Sequence, residues 1–160
     1  MSMYAVNAGV PKTLVKEMIS WIKDHLDGIS EKAKEILIDI LDTKISPELL
    51  PPDEKGEIKQ ETENLIGDYL LHDFFLYYMI RHGFAPEKIY FLAKKAFKNK
   101  YSDEEIKKWL KEFVKRFFSN QFKRNCMPDA IKVGSVALSP RGDWRMPSDA
   151  DYTIWMEDLV

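Results

Sequence analysis

Apolar residues recur at helical spacing along most of the chain. From Pro11 onward, Leu14, Val15, Met18, Ile19, Ile22 and Leu26 share one helix face. Pro11 suits the first turn of that helix and Gly28 its end. Ser30 is a good N-cap for a second helix, whose face carries Ala33, Ile36, Leu37, Ile40 and Leu41. Between Thr43 and Glu63 the rhythm breaks at Pro47, Pro51, Pro52 and Gly56. A loop of that length serves as a lid, a binding loop or a linker. Helical spacing resumes near Asp68 and runs through Leu71, Phe74, Phe75, Tyr78 and Met79 to Gly83. Pro86 opens a further helix with Ile89, Tyr90, Leu92, Ala93 and Phe97. Ser102 and Glu105 then form a capping box ahead of Ile106, Trp109, Leu110, Phe113, Val114, Phe117 and Phe118. Past Cys126 the pattern is lost until Ser148, a second cap candidate, opens a short terminal helix through Ile154 and Leu159. The stretch from Met127 to Pro147 holds two glycines and three prolines, so it is expected to be irregular. No run of β-branched residues reads as a buried parallel strand. The expected fold is mainly α: one helical unit over residues 1–160, with irregular loops at about 43–63 and 127–147.

Composition narrows the functional classes. At 160 residues, 45% hydrophobic and 31% charged, the chain has the balance of a soluble globular domain. A net charge of −2 gives no global reason to bind nucleic acid or an anionic membrane, so neither partner is expected and any anion site must be local. Cys126 is the only cysteine, which rules out an intrachain disulfide and is compatible with a reducing cytoplasm. The N-terminus has no basic-then-apolar leader, and no apolar run nears the roughly 20 residues that span a bilayer. A soluble, cytoplasmic protein is the default. Neither GxGxxG nor GxxxxGK[ST], the usual backbone cradles for nucleotide phosphates, is present.

Most candidate chemistry dissolves into ordinary structure. His25, His72 and His82 lie on different helices or helix ends without metal-ligand spacing, and no metal site is expected. Cys126 has no adjacent base, and no serine lies in a nucleophile elbow. Asp149 and Asp151 suit a helix N-terminus better than a metal. Arg141-Gly142-Asp143 matches an adhesion tripeptide, a motif too short to carry weight alone. The aromatic cluster Phe74, Phe75, Tyr77 and Tyr78 reads as core. Lys115, Arg116, Lys123 and Arg124 end the best-capped helix, where positive charge is favourable on dipole grounds alone. Those cations precede Arg141, Trp144 and Arg145, however, whose forked donors and flat ring suit phosphates, carboxylates and stacked bases. A solvated helix terminus and an anion pocket both remain open at this point.

Several blocks of sequence are more specific. The C-terminal set comprises Gln121-Phe122-Lys123-Arg124, Pro128-Asp129, Lys132-Val133 and Leu138-Ser139-Pro140-Arg141-Gly142-Asp143-Trp144-Arg145-Met146-Pro147-Ser148-Asp149. Upstream stand Val10-Pro11-Lys12-Thr13-Leu14, Ile45-Ser46-Pro47-Glu48-Leu49 and Leu71-His72-Asp73-Phe74-Phe75-Leu76-Tyr77-Tyr78. In that order, over essentially the whole chain, they resemble the C-terminal part of glutamine-dependent NAD synthetases. The resemblance implies a ligase of NAD biosynthesis with an amidase domain and an ATP-pyrophosphatase-type α/β domain. Ammonia from glutamine would amidate deamido-NAD after ATP adenylates its nicotinate carboxylate. The helical chain would be the C-terminal portion of that α/β domain, an adenine-nucleotide α-hydrolase-like fold, folded around the nucleotides.

The resemblance also implies roles for individual residues. Lys12 and Ser46 match ATP-binding positions, and Lys123 matches a deamido-NAD-binding lysine, with Phe122 where the family often has histidine. Pro128-Asp129-Ala130-Ile131-Lys132 departs from the family's Pro-Asp-Gly-Pro-Lys, so Lys132 takes no role. Gly67-Asp68-Tyr69-Leu70-Leu71 likewise departs from Gly-Pro-Tyr-Glu-Leu. Met1-Ser2-Met3-Tyr4 resembles an internal stretch, and the SGGxDS loop, the Mg2+-binding acid and the amidase catalytic residues are expected upstream. The chain alone is therefore expected to be inactive and to carry no catalytic residue. Its expected partners are deamido-NAD, ATP, the missing amidase and PP-loop portions, and further copies of itself. The competing reading is a non-enzymatic helical module that binds a protein through its aromatic faces.

Overall fold

The apolar stripes become helices with identifiable ends. A computed structural model describes residues 4–43, 66–157 and 159. Among these, the helices are α1 (Lys12–His25), α2 (Glu31–Asp42), α3 (Tyr69–His82), α4 (Pro86–Ala96), α5 (Asp103–Ser119), α6 (Gln121–Asn125) and α7 (Thr153–Glu157). The described residues hold no strand, only an isolated parallel bridge between Tyr4 and Asp129. The mainly α expectation is therefore met. Two compact units divide the chain: Met1–Val10 with Leu70–Val160, and Pro11–Tyr69.

The larger unit is built on α3, α4 and α5. Leu71, Phe75 and Met79 recur every fourth residue on α3 and are buried, as are Ile89 and Ala93 on α4. Six side chains of α5 join them: Ile106, Leu110, Phe113, Val114, Phe117 and Phe118. Ring contacts connect the layers, with Phe75 5.7 Å from Phe113 and Phe74 5.0 Å from Phe97. The expected core role of the α3 aromatics holds for Phe74, Phe75 and Tyr78, but Tyr77 is exposed. Ser102 caps α5 by accepting from the Glu105 amide at 3.1 Å. Pro86 occupies the first turn of α4, where its missing N–H costs nothing. At the end of α3, Gly83 adopts φ +64°, a conformation costly for any residue with a Cβ.

The second cap candidate is corrected. Ser148 does not start the terminal helix; its hydroxyl accepts from Asn125 Nδ2 at 2.7 Å. Helix α7 begins at Thr153, whose amide donates to the Asp151 carboxylate. Hydrogen bonding to the Thr153 side chain first, and to its amide second, holds the Asp151 carboxyl below the usual carboxylate range. A carboxylate two residues upstream competes better for this amide than a hydroxyl five residues away.

The smaller unit pairs α1 with α2. Ser30 caps α2 through the Ala33 amide at 3.2 Å. Neither helix holds a buried residue. Much of the periodic face is open: Leu14, Val15, Met18, Leu26, Ile36 and Ile40 are exposed, and Trp21 and Ile38 add to it. Two helices cannot cover stripes this wide by facing each other alone. The segment read as a loop from about 43 to 63 lies, from residue 44 onward, outside the described residues.

Candidate functional site

Local sequence splits the basic end of α5. Asn120 sits at φ −96°, ψ 13°, and its side-chain amide donates to the Arg116 carbonyl at 2.9 Å. The same carbonyl also accepts the Asn120 backbone N–H at 3.0 Å, so the side chain reinforces the last helical bond of α5. The ψ of Asn120 then turns the chain out of that helix before the five-residue α6 begins. The spacing of apolar residues had not shown this break. The four cations then meet different fates. Arg116 pairs with Glu112 one turn back, and Lys115 is exposed on α5. On α6, Arg124 turns inward and Lys123 outward.

Arg124 is an internal strut. Its Nε and Nη2 donate to Gln121 Oε1 at 3.0 and 2.7 Å, and Nη2 also donates to the Phe117 carbonyl. Its guanidinium carbon lies 4.1 Å from the centre of the Phe117 ring. Burial pushes its pKa down to about 10. Lys123, by contrast, is exposed, with its ammonium 5.9 Å from the Phe122 ring centre and no ion-pair partner among the described residues.

The segment from Met127 to Pro147 is irregular but fastened at several points. Lys132 Nζ contacts both oxygens of Asp143 at 2.8 and 2.9 Å, and the Ala137 amide donates to the same carboxylate at 2.9 Å. The Lys132 bond, the Ala137 amide and the charge of Arg81 hold the Asp143 carboxyl below its ordinary range. Lys132, left without a role by the sequence, is thus a loop fastener. Arg141 Nε pairs with Asp129 at 2.7 Å, and its Nη1 donates to the Met127 carbonyl at 3.2 Å. Asp129 in turn accepts the Ala5 amide through its own carbonyl at 2.8 Å. The adhesion-like tripeptide is therefore a turn, with Gly142 N–H donating to Ser139 O at 2.9 Å and both charges engaged internally.

These contacts narrow the pocket suggested by Arg141, Trp144 and Arg145. The fork of Arg141 is occupied. Trp144 packs edge-on to Phe117 at 5.2 Å, with its Nε1 buried and unpartnered among the described residues. Arg145 stays exposed. Lys123 and Arg145 are exposed cations of this region with no ion pair among the described residues, unlike Lys132 and Arg141.

Of the residues expected on ATP, Lys12 is the first residue of α1, exposed, with its ammonium 5.7 Å from the Tyr69 ring centre. It belongs to the smaller unit and Lys123 to the larger. Ser46 lies outside the described residues. The histidines are held by aromatic neighbours: His25 stacks on Trp21 at 4.9 Å, His72 meets Phe113 at 5.8 Å and His82 meets Tyr77 at 5.2 Å. Among the described residues no group of three or more His, Cys, Asp or Glu side chains could hold a metal ion, and no helix is long and apolar enough to cross a membrane. Sequence reasoning missed Gln121 and Asn125 as members of this region. The Gln–Asn pair at i, i+4 was a readable signal for their mutual bond, though not for the burial of Gln121.

No protein-family model matches the chain. Glutamine-dependent NAD(+) synthetases of Mycobacterium leprae and Mycobacterium tuberculosis are 43% and 44% identical to it over 99% of its length. The chain spans about a quarter, 26%, of those relatives. The crystal structure of a glutamine-dependent NAD(+) synthetase from Cytophaga hutchinsonii superposes with a TM-score of 0.67 and 18% identity. It covers 98% of this chain and 22% of its own. That likeness shows the fold, and it falls in the C-terminal part of the solved structure. The chain thus corresponds in sequence and fold to a helical C-terminal segment of glutamine-dependent NAD(+) synthetases, enzymes of the ligase class.

Proposed function

We propose that the chain forms part of the substrate site of an NAD synthetase that amidates deamido-NAD, using ATP and ammonia from glutamine. Lys123 binds deamido-NAD, and Lys12 and Ser46 bind ATP. The observation that carries this is the division of labour on α6: Arg124 is consumed inside the protein while Lys123 faces outward with no ion-pair partner among the described residues. An outward ammonium held beside a fastened loop suits phosphate or carboxylate oxygens. Amidation of a carboxylate needs a leaving group, which adenylation supplies; ammonia then displaces AMP. Magnesium would neutralise phosphate charge during adenylation, and the described residues offer no cluster to hold it. Its ligand, the PP-loop and the amidase are assigned to the remaining three quarters of such an enzyme, and the site of action to the cytoplasm. Identity over the whole chain favours this reading over a helical interaction module.

Replacing the matching segment of the Mycobacterium tuberculosis enzyme with this chain tests the proposal. The chimera is expected to form NAD from deamido-NAD, ATP and glutamine, whereas the chain alone forms none above background. A folded chimera without synthetase activity, or turnover by the chain alone, would overturn it. The chain is also assigned to a homo-oligomer, because exposed Leu14, Met18, Trp21 and Ile36 favour self-association. Light scattering is expected to give a mass above the 18.7 kDa of one copy; a monomer at high concentration would refute this part.

A further inference from the structure

Helix α6 has five residues, too few to hold its own orientation in water. Something outside its backbone must aim Lys123. The strongest candidate is Gln121, a fully buried side chain with a polar head. Its Oε1 accepts twice from Arg124, and its Nε2 donates to Asn125 Oδ1 at 2.8 Å. Asn125 passes the connection on to Ser148 Oγ at 2.7 Å, beyond the far end of the irregular segment. Arg124 anchors the other end on the Phe117 carbonyl and ring in α5. One amide thus couples α5, α6 and the exit of the loop.

Residues 121, 124 and 125 share a helix face, and Lys123 falls on the opposite one. The network therefore fixes the rotation of α6 without touching the lysine. We propose that Gln121 is the positioning residue for the substrate cation: its buried amide sets where the Lys123 ammonium stands. This rests on the assignment of Lys123 to deamido-NAD. Gln121 does not meet substrate and is not a catalytic residue. A leucine of similar size would leave the Arg124 fork with one acceptor fewer, freeing α6 to rotate while keeping most of the buried volume.

A double-mutant cycle in the complete chimeric enzyme separates the possibilities. Gln121→Leu is expected to raise KM for deamido-NAD roughly tenfold, with KM for ATP and the glutaminase rate unchanged. In the Lys123→Ala background the same change is expected to add less than about twofold, because nothing is left to position. Gln121→Glu keeps the acceptor for Arg124 and is expected to recover most of the loss. If Gln121→Leu harms the Lys123→Ala enzyme as much as the parent, the positioning role is wrong while the effect of Lys123→Ala upholds the substrate assignment. If Lys123→Ala is itself silent, the substrate assignment fails and the positioning role with it. Should Gln121→Leu fail to fold, Asn125→Leu breaks the same network at an exposed residue and is read by the same cycle.

Discussion

In the complete enzyme, Lys123→Ala is expected to lower kcat/KM for deamido-NAD by about 10- to 100-fold. A hydrogen bond to a charged group contributes roughly 1.5–3 kcal/mol, and each 1.4 kcal/mol is about a factor of ten. The side chain stands outward on α6 with no carboxylate partner among the described residues, so a ligand anion gains its charge without breaking a pair seen there. The glutaminase half-reaction, measured separately, should change far less. Lys115→Ala is the control: it removes an exposed charge from the neighbouring helix, where a surface cation is worth under about 1 kcal/mol. Equal and mild effects of the two substitutions would make Lys123 a surface residue and remove its assigned role.

Phe75→Ala is expected to be the most damaging single change to the larger unit. The ring is wholly buried and meets His72, Phe74 and Phe113 at 6.2, 6.4 and 5.7 Å. Truncating such a side chain costs about 3–5 kcal/mol, from lost transfer energy and the cavity left behind. That is a large share of the 5–15 kcal/mol that stabilises a typical domain. At about 4 °C or more per kcal/mol, the melting temperature should fall by at least about 12 °C. Phe91→Ala offers the contrast, because this ring on α4 is 55% exposed and its loss should cost within about 1 kcal/mol. A matching shift for both in chemical denaturation would show that Phe75 is not where the core is concentrated.

The sequence made the helices of the larger unit legible because their signals are local. Ser102 and Pro86 mark helix starts, and Gly83 marks an end, through bonds and torsions that span four residues or fewer. Long-range contacts were not legible. Ser148 looks like a cap in sequence, but its hydroxyl is taken by Asn125, twenty-three residues earlier. Lys132 had no assigned role until Asp143 appeared 2.8 Å away. The periodic faces of α1 and α2 gave the correct helices but not their burial, since periodicity tells which side of a helix is apolar and nothing of what covers it.

The candidate site was signalled in a different way. Family blocks pointed to Lys12, Ser46 and Lys123, whereas residue spacing alone favoured a solvated helix terminus and left an anion pocket open as the alternative. What spacing could not supply is the direction of each side chain: Arg124 and Lys123 are adjacent and both cationic, yet one is internal. The break between α5 and α6 at Asn120, whose ψ of 13° leaves the helical range, decides this.

The open face of the α1–α2 hairpin has a calorimetric consequence. The heat-capacity change of unfolding and the steepness of a denaturant transition both scale with the apolar surface newly exposed. In a single unassociated copy Leu14, Met18, Trp21, Ile36 and Ile40 already meet solvent, so at dilutions where the chain does not associate, melting this hairpin exposes little more. Its helices should fade over a broad temperature range, seen in circular dichroism as a sloping baseline. The sharp endotherm of the chain belongs to α3, α4 and α5.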